Sequence, residues 1–598
     1  MENVMFKLPQ WTPNLIPQLA VVDFFNMLFA SKTDGFMRKR GRGSNKLIPA
    51  GYTYLGQFII HDMSFNAQTH TDAENSNFNN QNLRTPSLDL DSIYGKGTLA
   101  SFMLYDHSVN KNSGRTHFLI DVVSFEYDKK SNRVASFFDL PRKCQRSDLR
   151  IHVPIIPDLR NDEHILLSQL HLTFLLFHNK AIDKQVSQPN GKSEYSGTEP
   201  FTVERETTLE RMSKKEIRTF HGGSLPEELF ESIMFSQQKI KSDNSQFPSL
   251  EAFSEKPMIQ NRDRTIADSN FNTVRKEVKK HFHWLIIHDY LPKIVGKDLV
   301  EKIIAPFEQD KPSMKLDFYK KTNNLEIPLE FSIAAFRFGH SMVKSQYIFS
   351  DFSTTTKLFR AKKTFTKLDN TFIDWSLFFS LPSYRDDKNN SFFIEPFISR
   401  NMQRELPDSA AKMNIAFRNM IRSYSVGLPS GQAIAKEMKL KPINYLYAIS
   451  LDSENISILE EQFCPLFTDQ KIDGHTITKD EAKAMFIGFI NNSPLWFYIL
   501  MEAMLLQKGK QLGPVGGRII AEVILGILEE DDDLFLKFPG WRPKYFLEKA
   551  TSDRSSLFNT KRNSLEIKEG GDNSMIEFLK FAGVYHGAFL DGYKIEKH

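Results

Sequence analysis

Apolar residues recur at helical spacing along most of this chain, while β-type alternation is short and scarce. The segment from Asn161 to Asp183 reads as one long apolar-rich helix, with Asn161 and Asp162 as N-terminal caps and Glu163 in its first turn. Its Ile165–Phe177 portion is the nearest approach to a membrane span, but it is too short and carries Gln169 and His171. A buried helix is expected there instead. Glu330 to Val343 places Phe331, Ala335, Phe338 and Met342 on one helical stripe, with His340 one step round. AKMNIAFRNMIRSYSVGLPSG predicts a helix ended by Gly427 and Pro429. SPLWFYILMEAMLLQKG and GGRIIAEVILGILEEDDD predict two further amphipathic helices, separated by KQLGPVGG. The expected class is mainly α with few short strands. Residues 187–265 differ from their surroundings, being polar, rich in Ser, Glu and Lys and weakly periodic, and are expected to be an insertion.

Composition narrows the choice of function. A formal net charge of +4 over 598 residues gives no electrostatic case for binding nucleic acid or an anionic membrane. Cys144 and Cys464 are the only cysteines, so a disulfide scaffold and a Cys-rich zinc site are both excluded. The start, MENVMFKLPQWTPN, lacks a basic region followed by an apolar run and a small-residue cleavage site. No transmembrane segment and no signal peptide are read, so the expectation is a cytoplasmic protein or one exported by a non-classical route. The 51 phenylalanines suit a large apolar interior, such as one packed around a flat hydrophobic cofactor.

Five stretches carry candidate chemistry. In YLGQFIIHDMSFN, Gln57 and His61 share a helical face, while Asp62 lies about 100° further round. In LRTPSLDLDSIYG, oxygen-bearing residues fall at every second position: Thr85, Ser87, Asp89 and Asp91. An extended loop would turn these oxygens to one side, together with the Ser87 carbonyl, as calcium with its roughly six to eight hard ligands requires. The loop lacks the glycine and terminal glutamate of an EF-hand. DLRNDEHILL sets Arg160 among acids at a helix entrance, AFRFGHSMV carries His340, and RNMIRS puts Asn419 and Arg422 about one turn apart. Singly these read as a core histidine, a polar turn and a capping ion pair. His61-Asp62 and His288-Asp289 also resemble the metal-binding pairs of phosphohydrolases, but the flanking histidine and aspartate helices are missing. GPVGGR follows a helix and lacks the Gly-Lys-Ser/Thr ending of a phosphate loop, so close helix packing explains its glycines better.

Taken in order, GQFIIHD, RTPSLDLDSIYG, DLRNDE…HNKAID, HDYLPKIVG, FRFGHSMV and LGPVGGRII closely resemble the animal-type haem peroxidase superfamily, which includes myeloperoxidase and the cyclooxygenases. The resemblance runs from about Leu47 to about Leu528. It implies a single helical peroxidase domain over residues 47–530, containing the insertion, between an N-terminal segment (1–46) and a C-terminal extension (531–598). It further implies a haem b cofactor with His340 as axial iron ligand, Asn419 as the partner of that imidazole, and Arg422 and Arg337 on the cofactor-binding side. His61 becomes the distal acid–base catalyst, with Arg160 and Gln57 beside it. Asp62 turns away to a structural calcium, shared with Thr85, Asp89 and Asp91 through side chains and Ser87 through its carbonyl. The implied activity is reduction of hydrogen peroxide or an organic hydroperoxide through oxidised haem, with one-electron or halide-type oxidation of a small reducing substrate. No protein partner is implied.

Departures from the family pattern limit what is carried over. Ile60 stands where mammalian members have an ester-forming aspartate, and His164 where myeloperoxidase has its haem-linked methionine. Glu163 is retained, leaving one residue able to form an ester to haem. Arg337 stands where cyclooxygenases and related fatty-acid dioxygenases carry a radical-forming tyrosine, which favours peroxidase chemistry over dioxygenation. A haem-binding or adhesive protein of the same fold with little turnover is the other alternative.

Overall fold

A computed structural model of the chain describes residues 4–585 apart from short breaks and the stretches 14–19, 30–35, 66–81, 107–115, 187–216, 221–260, 359–372, 380–388, 400–414 and 546–573. The architecture is mainly α, with four antiparallel strand pairs and one three-stranded antiparallel sheet among the described residues. At its centre lie two helices, Leu495–Gln507 and Pro514–Glu530. The sequence pattern predicts both as amphipathic, yet all residues from Leu495 to Leu505 are buried, Glu502 among them. A helix apolar all round belongs in the middle of a large protein rather than at its surface. Along Val515–Leu528 only Arg518 reaches outward. The two pack closely because Gly516 has no side chain: a Cβ there would stand 2.6 Å from Cγ2 of Ile499. The buried Glu502 carboxyl accepts from the amide of Val515 at 2.9 Å, in the first turn of the next helix, where an acid is favoured.

Helix Gly51–Met63, which carries Gln57, His61 and Asp62, follows strand Ser44–Pro49. That strand pairs antiparallel with Asn390–Phe392. Apart from Gln57 and Ile60 the helix is buried. It packs against Ile165–Val186, a long helix that is itself buried over most of its length. Ile165–Val186 starts later than the pattern predicts. Residues Leu159–Asp162 form a separate 3-10 turn capped by Asp158, and Asp162 is no helix cap but a buried partner of Arg142. A bidentate guanidinium–carboxylate pair outweighs a capping bond for that side chain.

The segment around His340 departs most from expectation. Phe331, Ala335, Phe338 and Met342 are all buried, as the stripe requires. The backbone is nevertheless no regular α-helix: a wide π turn, Glu330–Ala334, gives way to a tight 3-10 run, Ala335–Ser341. Two side chains hold this change of pitch. Glu330 accepts from the amides of Met5 and Phe6, both at 2.9 Å, and Trp496 Nε1 donates to the Arg337 carbonyl at 3.1 Å. In a 3-10 run, residues three apart eclipse one another, so Arg337 stands over His340.

The predicted insertion lies outside the described residues, except for strand Ile217–Phe220, paired antiparallel with Asp121–Asp128, and the start of helix Asn261–Trp284. Part of the segment beyond residue 530 folds back on the core. Helix Ser574–Ala582 packs on Ile165–Val186, and its Met575 amide donates to Asp289 at 2.8 Å. Among the described residues, no helix is long and apolar enough to cross a membrane.

Candidate functional site

His61 and Asp62 go to different places, as their helical step demands. His61 is buried, and its Nδ1 meets Oδ1 of Asn161 at 2.9 Å. Asn161 Nδ2 in turn meets Nδ1 of His171 at 3.1 Å. This relay fixes the tautomer: the His61 Nδ1–H donates to the Asn161 carbonyl, which leaves the Nε2 lone pair available as a base. Burial, aided by the Arg160 charge, lowers the His61 pKa to about 4. One turn earlier, Gln57 Nε2 donates to Glu163 at 3.0 Å, while its Oε1 lies 3.1 Å from Nε2 of His164. Glu163 and His164 are thereby coupled through Gln57.

Arg160 is half-buried over the Phe65 ring. Its Nε and Nη2 reach Asp158 at 3.0 and 2.7 Å, and Nη2 also donates to the carbonyls of His61 (2.9 Å) and Ser64 (2.6 Å). A guanidinium on the last carbonyls of a helix suits the negative end of its dipole. Most of its donors therefore hold the helix end, and Nη1 is left for a further acceptor. Asp158 also takes Arg84 Nη2 at 2.8 Å. Burial works against its ionisation, but the bond and charge of Arg160 win and bring its pKa down to about 2.

The loop that follows Arg84 behaves as the alternation predicts. Pro86, Leu88 and Leu90 are buried, whereas Thr85, Ser87 and Asp89 face the other way. Leu88 (φ +53°) and Leu90 (φ +63°) adopt the left-handed conformation, each at a cost of roughly 1–2 kcal/mol. Asp62 offsets part of this by accepting from the amides of Leu90 (2.9 Å) and Ser92 (3.0 Å) and from Ser92 Oγ (2.7 Å). Burial, then the nearby Asp89 charge, raises the Asp62 pKa to about 6, and both also raise that of Asp91. Arg275 meets Asp91 at 3.3 Å. Ser87 Oγ is buried without a hydrogen-bond partner among the described residues. The expected calcium ligands thus share one region, but no three His, Cys, Asp or Glu side chains among the described residues stand at metal-ligand spacing.

On the other side, His340 Nδ1 lies 3.0 Å from Asn419 Nδ2, while the buried Asn419 Oδ1 has no partner. Turning the amide over lets Oδ1 accept the Nδ1–H of His340 and removes that orphan; the two amide ends are alike in shape. Helix Ile415–Ser425 supplies Asn419 together with Arg418 and Arg422, which are four apart and share a face. With Arg337 they make a cluster of three guanidiniums around His340. Burial, then the charges of Arg337, Arg418 and Arg422, lowers the His340 pKa to about 3, keeping the imidazole neutral as a metal ligand must be. Burial and the neighbouring Arg422 and Arg418 charges bring Arg337 down to about 9.

All the residues expected on the His340 side are brought together: Arg337, His340, Asn419 and Arg422. Those expected on the His61 side, Gln57, His61, Arg160 and Glu163, form a second group. The two groups are neighbours, since the His61 helix packs against the His340 segment and the Glu163 charge acts on Arg418. Sequence reasoning missed Arg418, Asn161 as a partner of His61, and Asp158 as the anchor of Arg160. The four-residue spacing of Arg418 and Arg422 was the available signal for the first. The residues fit haem on two observations of this structure. Converging cations, Arg418 buried and Arg337 and Arg422 half-buried, call for an anionic group such as paired propionates, and a Cβ at Gly339, next to His340, would meet nothing within 4 Å.

Comparison with known proteins adds the following. Residues 259–474 match the family model for animal haem peroxidase. That stretch holds Arg337, His340, Arg418, Asn419 and Arg422, whereas Gln57, His61 and Arg160 precede it. Thyroid peroxidase from Rattus norvegicus is 32% identical over 94 residues, 15% of this chain and 9% of the relative. The chain therefore matches less than a tenth of that relative's length. Among solved structures, peroxidase A from Dictyostelium discoideum is similar with a TM-score of 0.47 and 13% identity, covering 90% of this chain and 88% of its own. A fatty acid alpha-dioxygenase from Arabidopsis thaliana gives a TM-score of 0.46 and 10% identity, covering 89% and 73%.

The two histidines held neutral, His61 buried and His340 half-buried, give a testable pH dependence. His61 and His340 titrate in the fold at about 4 and about 3, below their ordinary 6.5. The unfolded chain therefore binds more protons in between, so their contribution to stability is present above pH 6.5 and is lost as pH falls towards these values. Imidazole NMR should place the His61 midpoint near 4, and Arg160→Gln should raise it. A midpoint at the ordinary value in the folded protein would contradict the burial described above.

Proposed function

We propose that this chain, whose residues 259–474 match the family model for animal haem peroxidase, is a haem-dependent peroxidase reducing hydrogen peroxide, or an organic hydroperoxide, with electrons from a small reducing substrate. The observation that carries this reading is the cluster of Arg337, Arg418 and Arg422 around an Asn419-supported neutral His340, packed beside the His61 helix. In this reading His340 would hold the iron of haem b, as histidine commonly does in peroxidases, and Arg422 and Arg337 would pair with its propionates. Asn419, by accepting the Nδ1–H, sets the His340 tautomer and raises its basicity. When bound, haem supplies the redox-active iron that accepts the oxidising equivalents of peroxide.

The chain's own residues handle the proton and the charge. His61 Nε2 takes the proton from one peroxide oxygen and returns it to the other as that oxygen leaves, work worth about 10²–10⁴-fold. Asn161 keeps Nδ1 protonated, so the base is always the same nitrogen. Arg160, whose charge already acts on His61, favours the negative charge that develops during O–O cleavage. Gln57 holds Glu163 and His164 in place by bonding to both. Arg337 at the position of a radical-forming tyrosine supports peroxidation over fatty-acid dioxygenation.

His340→Ala should abolish haem retention, whereas His61→Ala should keep haem and react with peroxide about 10²-fold more slowly or worse. Stopped-flow absorbance measures both. A His61→Ala protein that reacts at the wild-type rate would remove His61 from its role.

One ester through Glu163 is the single covalent haem link this chain can form in the proposed reading, since Ile60 and His164 offer neither a carboxylate nor a thioether. Intact-mass analysis after peroxide cycling should show at most one haem–protein bond, absent in Glu163→Gln. Two bonds would contradict the proposal.

We also propose calcium between Asp62 and the Thr85–Asp91 loop. Supporting it are the orphaned Ser87 Oγ and the crowding of Asp62, Asp89 and Asp91, which a divalent cation would relieve. Metal analysis should find about one calcium per chain, and Asp89→Ala should lose it together with thermal stability. Stable, calcium-free protein indifferent to chelation would end this part of the reading.

A further inference from the structure

Arg418 is only 6% exposed, and its Nε, Nη1 and Nη2 are each buried without a hydrogen-bond partner among the described residues. No other arginine of the described residues is left so completely without hydrogen bonds. Arg142, equally deep, shows the ordinary arrangement, with Asp139 and Asp162 taking its nitrogens. A guanidinium buried with five unused donors calls for an anion with planar paired oxygens. Its charged neighbours are Arg337 and Arg422, which repel it, and Glu163, which attracts it without bonding to it. The open space beyond Gly339 adjoins the His340–Asn419 pair, and Arg418 is the residue before Asn419.

We propose that Arg418 is a carboxylate-binding residue of this cleft, beyond the Arg337 and Arg422 positions already assigned to haem. The proposal rests on the haem reading above. Two sources present that chemistry: a haem propionate that Arg418 shares, or the carboxylate of an anionic organic donor lying against the cofactor. In either case the carboxylate replaces water on both partners and supplies two parallel acceptors for the guanidinium fork.

The test uses the full-length protein and its Arg418→Gln and Arg418→Lys variants, with folding of the apo forms checked by circular dichroism. Haem uptake by the wild-type apo protein is measured first. Haem release to a scavenging apo-globin then reports on the propionate arm, and absorbance titration of the holo protein with benzoate, against neutral phenol, on the donor arm. If a propionate occupies Arg418, Arg418→Gln should release haem about tenfold faster or more, with benzoate affinity unchanged. If a donor carboxylate does, benzoate should bind about tenfold more weakly or worse to Arg418→Gln, with phenol and haem release unaffected. Arg418→Lys, which keeps charge but not the fork, should recover part of either loss. Wild-type protein that takes up no haem would overturn the haem reading and this proposal with it. Normal haem uptake, with Arg418→Gln matching wild type in release and in benzoate affinity, would overturn this proposal alone.

Discussion

One buried carboxylate, that of Asp158, fixes where the end of the His61 helix lies. It holds Arg84 at 2.8 Å and Arg160 at 2.7 Å, and Arg160 passes the restraint to the carbonyls of His61 and Ser64. Three chain segments, 51–64, 84–92 and 158–163, meet through that single group. With its pKa brought down to about 2, the carboxylate keeps the clamp charged from mildly acidic pH upward. Leaving either guanidinium without it would strand a partly buried charge, at a cost on the order of several kcal/mol. Asp62 secures the same loop from the other side through the Leu90 and Ser92 amides. The His61 end of the helix is thus held from two sides, by Arg160 on its last carbonyls and by Asp62 on the neighbouring loop.

The two halves of the site are built on opposite electrostatic terms. Around His61 the charges are closed: Arg84 and Arg160 share Asp158, and Arg142 divides itself between Asp139 and Asp162. Around His340 like charges gather: Arg337, Arg418 and Arg422 converge, and the Glu163 carboxylate acts on Arg418. The first half is complete as protein alone. The second stores like-charge repulsion that any bound anion relieves, so folding and occupancy of that half are thermodynamically linked.

What was legible in the sequence was what local periodicity determines. The divergence of His61 and Asp62 follows from 100° per residue, and the inward Pro86, Leu88 and Leu90 follow from alternation. Asn419 and Arg422 share a face for the same reason. What failed depends on partners distant in the chain. Asp162 looks like a helix cap until Arg142 arrives from twenty residues away. Glu502 and Arg518 make two core helices look amphipathic, because a sequence does not show that the Val515 amide awaits the former. Arg418 reads as a surface residue on any helical wheel, and only tertiary packing buries it. The docking of Ser574–Ala582 rests on Asp289, nearly three hundred residues earlier.

The change of pitch across 330–341 has a consequence for insertions and deletions. A π turn holds more residues than an α turn, and a 3-10 turn fewer, so the azimuth of His340 depends on how many residues precede it as much as on which they are. Deleting one residue between Glu330 and Ala334 either closes the wide turn to regular helix, with His340 near its present azimuth, or keeps its pitch and turns the imidazole away from Asn419 together with buried Ala335, Phe338 and Met342.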